Sequence, residues 1–140
     1  MKYTRLMIAA ALMMLPIMAA AQLGMSEKVK ASIPFDFVVG NRIIPAGDYE
    51  LQRPVGAKTL VLRGVDAHMG LFTGATETEA RQPAASYALV FHQYKNRHFL
   101  VAVKIENSRM QYQLPESKLE REVLASNVHP TEQILLASVK

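Results

Sequence analysis

The stretch that decides the fold is Ile33–Tyr49, with the sequence Ile-Pro-Phe-Asp-Phe-Val-Val-Gly-Asn-Arg-Ile-Ile-Pro-Ala-Gly-Asp-Tyr. Large apolar residues alternate with other residues from Val29 to Val39, which is the period of a strand with one buried face. Gly40-Asn41 tolerates positive φ and predicts a two-residue hairpin loop. Pro45 and Gly47 match the second and fourth positions of a type I turn. We therefore expect a long strand, a hairpin to a short strand, a turn and a new strand from the final tyrosine.

A second strand signal follows in the middle of the chain. Tyr87–Tyr94 and Arg97–Ile105 are apolar runs around Lys95-Asn96, which predicts a tight turn. Both faces of this hairpin carry apolar residues, so we expect it to be central and covered on both sides. A regular two-residue loop would place Leu89 opposite Ala102.

Three further elements complete the predicted fold. Gly74–Ala85 has the composition of a loop. Ser117 and Glu120 match a capping box, which predicts a short helix ending near Ala125. Glu132–Val139 is apolar enough for a last strand. The sequence thus predicts a mainly β domain, an antiparallel sandwich or partly open barrel of about six to eight strands, with one short helix near the C-terminal end.

The amino-terminal segment predicts export. Basic residues precede an apolar run over Leu6–Met18, and small residues follow at 19–21. We expect residues 1–21 to be a signal peptide, 22–28 a flexible leader and 29–140 a single β-rich domain. The apolar run is shorter than the roughly 20 residues of a membrane-spanning helix, so no transmembrane segment is expected after cleavage. The expected location is the periplasm or the extracellular space.

The amino-acid composition limits the kinds of partner that we expect the protein to bind. The chain contains no cysteine, so its stability must come from the core without disulfides. Two of the 16 basic residues, Lys2 and Arg5, lie in the predicted signal peptide, so the mature chain has 14 basic and 12 acidic residues, a net charge of +2. That balance, without a basic run, gives little support for a nucleic-acid partner. We expect none.

The sequence contains no recognisable catalytic or metal-binding spacing. The four histidines are His68, His92, His98 and His129, and none belongs to a motif that places two metal ligands on one helix face. No serine lies in a known nucleophile motif. We therefore expect no catalytic residue, no cofactor and no metal.

Three carboxylates are the candidate ligand-binding residues. Asp36, Asp48 and Glu50 are close in sequence and would converge near the turns of the opening stretch. Such a cluster suits a carboxylate-dependent hydrolase or a calcium site. Aspartate is also common in turns, and charged residues are common on the solvent face of edge strands. Similarly, the tyrosines together with Phe35, Phe37 and Phe72 would either line a ligand groove or fill the core.

Several segments resemble a set of small, uncharacterised secreted acidobacterial proteins. The resemblance spans most of Val29–Ala125 and implies export and a shared fold, but it transfers no activity and no site residue. The segments that carry it are Ile33–Asn41, Pro45–Tyr49, Leu89–Tyr94, Arg97–Leu100 and Leu114–Glu122.

These observations lead to three hypotheses about function. The first is an exported, non-enzymatic interaction or structural module of the periplasm or cell envelope, with an envelope protein of unknown identity as its partner. The alternative is a small-ligand carrier whose aromatic strands enclose a pocket. The second alternative is the carboxylate-dependent hydrolase. A core without a cavity would exclude the carrier, because a ligand site needs a concave space.

Overall fold

The computed structural model describes residues 28–54, 56–66 and 68–139. The predicted signal peptide and most of the predicted leader lie outside the described residues. The described part contains twelve strands and one helix. The strands are β1 (Lys28–Ile33), β2 (Phe37–Val39), β3 (Arg42–Ile44), β4 (Gly47–Gln52), β5 (Thr59–Gly64), β6 (Gly70–Gly74), β7 (Thr76–Glu79), β8 (Ala88–Tyr94), β9 (Arg97–Lys104), β10 (Met110–Gln113), β11 (Thr131–Leu136) and β12 (Ser138–Val139), and the helix is α1 (Lys118–Leu124).

The strands form two sheets. Sheet A has the order β12-β1-β4-β5-β6, and sheet B has the order β11-β8-β9-β10-β7. In sheet B, β2 also pairs with the first half of β9 in parallel, and β3 pairs with β2. The prediction of a mainly β fold with one short C-terminal helix is confirmed, and the arrangement is a sandwich. The strands outnumber the predicted six to eight because five of them have only two to four residues.

The opening stretch crosses between the sheets twice, which the sequence did not predict. β1 belongs to sheet A and ends at Ile33, whereas β2 belongs to sheet B. The predicted single strand Val29–Val39 is therefore wrong. Pro34 marks the break, because proline has no N–H to donate to a sheet ladder. After the Gly40-Asn41 hairpin, which is confirmed, the chain returns to sheet A past Pro45, and β4 begins two residues earlier than predicted.

An aromatic cluster fills the sandwich near these crossings. Phe37 from sheet B packs edge-to-face on Tyr49 of sheet A at 5.4 Å and on Phe91 of sheet B at 5.7 Å between ring centroids. Phe35, in the first crossing, packs on Phe91 at 5.1 Å. Each such pair contributes about 0.5–1.5 kcal/mol beyond the burial of its area. The aromatic residues of the opening stretch therefore fill the core and join the two sheets.

The β8–β9 hairpin is central, as predicted, but its register shifts along its length. Phe91 faces Leu100 as expected, and then Val101 has no opposing residue in the β8 register. Because of this extra residue, Leu89 faces Val103, one position beyond the predicted partner. The shift brings Leu89 and Val103, both buried, onto the inner face of sheet B.

Helix α1 covers part of the outer face of sheet B. Leu119 and Val123 pack against a small cluster that contains Tyr94 and Phe99. Leu124, the last residue of the helix, is exposed. The hairpin of the opening stretch also contacts the helix, because Asn41 Oδ1 accepts a hydrogen bond from the Lys118 N–H at 3.3 Å.

Two other segments differ from the prediction. Gly74–Ala85 was expected to be a loop, but it contains β7, which pairs with β10. Alternating threonines in β7 favour extended backbone, although its polarity resembles that of a loop. The predicted last strand is divided at Ala137 into β11 in sheet B and β12 in sheet A. The chain thus passes from one sheet to the other in this last segment as well.

A glycine in the left-handed region fixes the opening hairpin. Gly40 has φ of +60°, and a side chain is strained there whatever the space around it. Replacing Gly40 by valine should lower the free energy of unfolding by about 1–2 kcal/mol. Gly70→Val is the matched control, because Gly70 lies in edge strand β6 with open space and without a left-handed φ. Urea denaturation measures both, and equal stabilities of the two variants would contradict the role of Gly40.

Candidate functional site

A cavity of about 240 Å³ lies between the two sheets, at the end where β4 and β9 finish. Its walls come from both sheets and are mainly aliphatic. The aromatic cluster of Phe35, Phe37 and Phe91 occupies the opposite end of the sandwich, whereas Tyr87 and Tyr112 line the cavity beside its aliphatic walls. The aliphatic side chains that line the cavity are Val29, Leu51, Leu60, Val103 and Ile105.

Arg53 places a positive charge at this cavity. Its Nη1 lies 2.7 Å from Glu77 Oε1 and donates to the Tyr112 hydroxyl oxygen at 3.3 Å. The guanidinium carbon stands 4.6 Å from the centroid of the Tyr112 ring, in cation–π geometry. Arg53 Nε is buried and has no hydrogen-bond acceptor within the described part of the chain. The cavity therefore combines aliphatic walls with an ordered, largely buried guanidinium.

The sequence reasoning missed Arg53, although a signal was present. Tyr49 and Leu51 alternate on the inner face of β4, and the same period of two carries on to Arg53. An arginine on the inward-facing phase of a strand is unusual and indicates a partner or a ligand. Glu77 was missed because β7 was taken as a loop, whereas Tyr112 is one of the tyrosines that were expected to line a groove or fill the core.

A larger groove of about 470 Å³ lies on the outer face of sheet B. Val90 and Ala102 form part of its floor, and polar side chains including Lys104, Gln111 and Glu132 surround them. The groove gathers polar groups, as a site for a hydrophilic partner would. It lies on the opposite face of sheet B from the aliphatic cavity.

Next to this groove, a buried carboxylate anchors helix α1. The Glu120 side chain is only 5 % exposed, and its Oε1 lies 2.9 Å from His92 Nδ1. The Tyr94 hydroxyl donates to the same oxygen at 3.0 Å. Burial raises the pKa of Tyr94, and the hydrogen bond to Glu120 raises it further. Because the carboxylate is satisfied by groups of the sheet, this network holds the helix in place.

The capping box is confirmed in one half only. Ser117 Oγ accepts a hydrogen bond from the Glu120 N–H at 3.0 Å, as expected for the N-cap residue. The Glu120 carboxylate was expected to reach back to the start of the helix, but it contacts the sheet. Its position on the sheet-facing side of a short helix, above two polar ring groups, explains the difference.

His98 lies on the inner face of sheet B, away from His92. Its ring stacks on Phe35 with centroids 3.8 Å apart and planes within 16°. Burial lowers the pKa of His98, and a hydrogen bond with Gln133 acts in the opposite direction. His92 and His98 therefore lie on opposite faces of sheet B. Across the described residues, no group of three or more His, Cys, Asp or Glu side chains is arranged to hold a metal ion.

The three predicted carboxylates lie apart from the cavity. Asp36 Oδ1 accepts a hydrogen bond from the Ala46 N–H at 2.9 Å, which links the two crossings of the opening stretch. Glu50 pairs with Lys30 across β1 and β4 at 3.3 Å. Asp48 is exposed at the start of β4. The described residues that line the cavity do not include these three. Their role in ligand binding stays a prediction.

Comparisons of this chain with known proteins found no match. No protein-family model matches the chain, and neither a curated protein nor a solved structure is significantly similar to it. The resemblance to secreted acidobacterial proteins therefore stays a prediction. In the described residues, no helix has the length and hydrophobicity needed to cross a membrane.

The buried carboxylate network should contribute strongly to stability. Glu120→Ala would leave the buried Tyr94 hydroxyl without its acceptor, and the free energy of unfolding should fall by about 2–3 kcal/mol. Glu122→Ala is the matched control, because Glu122 is exposed on the same helix. Thermal or urea denaturation compares the two variants. Similar losses in both would show that the network does not anchor the helix.

The free energy of unfolding should also fall as the pH is lowered, because of His98. In the unfolded chain a histidine binds its proton near pH 6.5, whereas the folded pKa is lower. Between these two values the unfolded state binds more protons, so stability present at neutral pH is lost as the pH falls through this window. His98→Gln should reduce the loss between pH 7 and pH 5, and His68→Gln, at an exposed position, should not. Parallel pH curves for the wild type and His98→Gln would contradict this assignment.

Proposed function

We propose that the protein is an exported, non-enzymatic binding module of the periplasm or cell envelope, and that the cavity between its sheets holds a small, mainly apolar ligand. The observation that carries the proposal is the cavity itself. It is a half-open cleft with mainly apolar walls, and the small-ligand sites of proteins are concave and mostly apolar. A space of 240 Å³, at about 30 Å³ for each water-sized group, has room for about eight non-hydrogen atoms.

The chemistry of the walls supports an apolar ligand. Leu51, Leu60 and Val103 are buried and present only hydrocarbon to the space. Burial of each ligand methylene against such walls contributes about 0.8 kcal/mol. Water in the same space would find few hydrogen-bond partners, so an organic molecule displaces it with a gain. Of the three functions expected from the sequence, the cavity favours the small-ligand carrier.

The other two expectations have weaker support. An interaction module would use an outer surface such as the polar groove on sheet B. A hydrolase built on Asp36 and Glu50 would need these carboxylates available, yet one accepts a backbone hydrogen bond and the other pairs with Lys30. Export is proposed from the residue pattern at 1–21.

A homologous series of ligands tests the proposal. The purified protein is titrated with 1-alkanols from butanol to decanol, and binding is followed by ¹H–¹⁵N NMR. Each added methylene should lower Kd by about fourfold until the chain exceeds about eight non-hydrogen atoms, where the gain should stop. The amide shifts should concentrate at Val29, Leu60 and Val103.

A variant in which a larger side chain fills part of the cavity provides the control. Ile105→Phe adds a ring at the lining and should weaken alkanol binding by at least tenfold, whereas Ile43→Phe, at a side chain that is 71 % exposed, should leave it unchanged. Shifts confined to exposed side chains, or equal affinities for the two variants, would overturn the proposed function.

A further inference from the structure

We infer that the ligand of this cavity is a small amphipathic anion, with a short hydrocarbon tail between the sheets and an oxyanion headgroup on Arg53. The inference rests on the proposed function and adds the chemical class of the ligand. Arg53 is the one cationic side chain among the described residues that line the cavity. An apolar cavity with a single cation at its edge selects a molecule with the complementary division between tail and charge.

The hydrogen bonding of Arg53 leaves a specific edge for the headgroup. Its contacts with Glu77 and Tyr112 both use Nη1. The buried Nε lacks an acceptor within the described residues, and an unsatisfied buried donor is destabilising. The guanidinium presents its donors as a planar fork that matches two oxygens of a carboxylate or phosphate. An oxyanion at the Nε edge would satisfy the donor that the protein leaves unsatisfied.

The surroundings keep the guanidinium ordered before a ligand arrives. The Tyr112 ring packs on one side at 4.6 Å, and Glu77 holds Nη1. A side chain that is already fixed loses less conformational freedom on binding. The Glu77 side chain is 46 % exposed, whereas that of Arg53 is 19 % exposed. Arg53 is therefore the more buried partner of this ion pair, and it lines the cavity whereas Glu77 does not.

Ligands with one tail and different headgroups test the inference. The protein is titrated by NMR at pH 7 with hexanoate, 1-hexanol, hexylammonium and hexyl phosphate. Hexanoate should bind about tenfold tighter than hexanol, as expected for one added charge-assisted hydrogen bond. Hexylammonium should bind more weakly than hexanol. Hexyl phosphate distinguishes the two oxyanions, since tighter binding than hexanoate assigns a phosphate headgroup and weaker binding assigns a carboxylate.

Variants of Arg53 identify the group that recognises the charge. Arg53→Gln should remove the advantage of hexanoate over hexanol, so that this variant binds the two ligands with equal affinity, and the dispersion of its NMR spectrum shows that it is folded. Arg53→Lys, which keeps the charge without the fork, should restore only part of the advantage. Arg63→Gln, on the neighbouring strand β5 with an exposed side chain, is the matched control and should behave as the wild type.

The outcomes separate this inference from the proposed function. Equal affinities for hexanoate and hexanol in the wild type would overturn the anionic headgroup and leave the apolar cavity site in place. An advantage of hexanoate that survives in Arg53→Gln would overturn the role of Arg53. If neither hexanol nor hexanoate shifts the residues of the cavity, the proposed function itself fails.

Discussion

The fold depends on one constraint, which is that the chain leaves sheet A after Ile33 and returns to it at Gly47. Between these points the β2–β3 hairpin joins sheet B and carries Phe37 into the aromatic cluster between the sheets. A proline stands in each crossing, where a sheet hydrogen bond from its nitrogen is not needed. The Asp36 carboxylate joins the two crossings through the Ala46 N–H. The same hairpin reaches the start of helix α1, so this segment orders three parts of the molecule.

The uneven distribution of side-chain size along the sandwich connects this constraint to function. Because the crossings bring the phenylalanine rings to one end, that end is filled by aromatic contacts. The cavity lies at the other end, where its walls are mainly aliphatic and Tyr87 and Tyr112 are among the lining residues. Arg53 occupies the edge of this space because β4 keeps a strict alternation from Tyr49 onward. The proposed binding site thus follows from the same packing that stabilises the fold.

The sequence predicted local features well and long-range arrangement poorly. Turn chemistry at Gly40-Asn41 and Lys95-Asn96, and the Ser117 cap, depend on neighbouring residues and were correct. The crossing at Pro34 was missed because apolar alternation continues on both sides of it, and periodicity does not indicate which sheet a strand joins. The register shift at Val101 was missed because periodicity does not indicate which residues of two strands lie opposite each other. The carboxylates were selected for their side-chain chemistry. The inward-facing position of Arg53 was the signal that pointed to the cavity.

The central claim is that a ligand lies between the two sheets, in contact with both of them. Isotope-filtered NOE measurements test it directly, using protein with ¹³C-labelled leucine and valine methyl groups and unlabelled hexanoate. Our account predicts NOEs from the hexanoate tail to the methyl groups of Leu60 in sheet A and Val103 in sheet B within one complex. NOEs to methyl groups of exposed residues such as Leu136, without any to Leu60 and Val103, would contradict it.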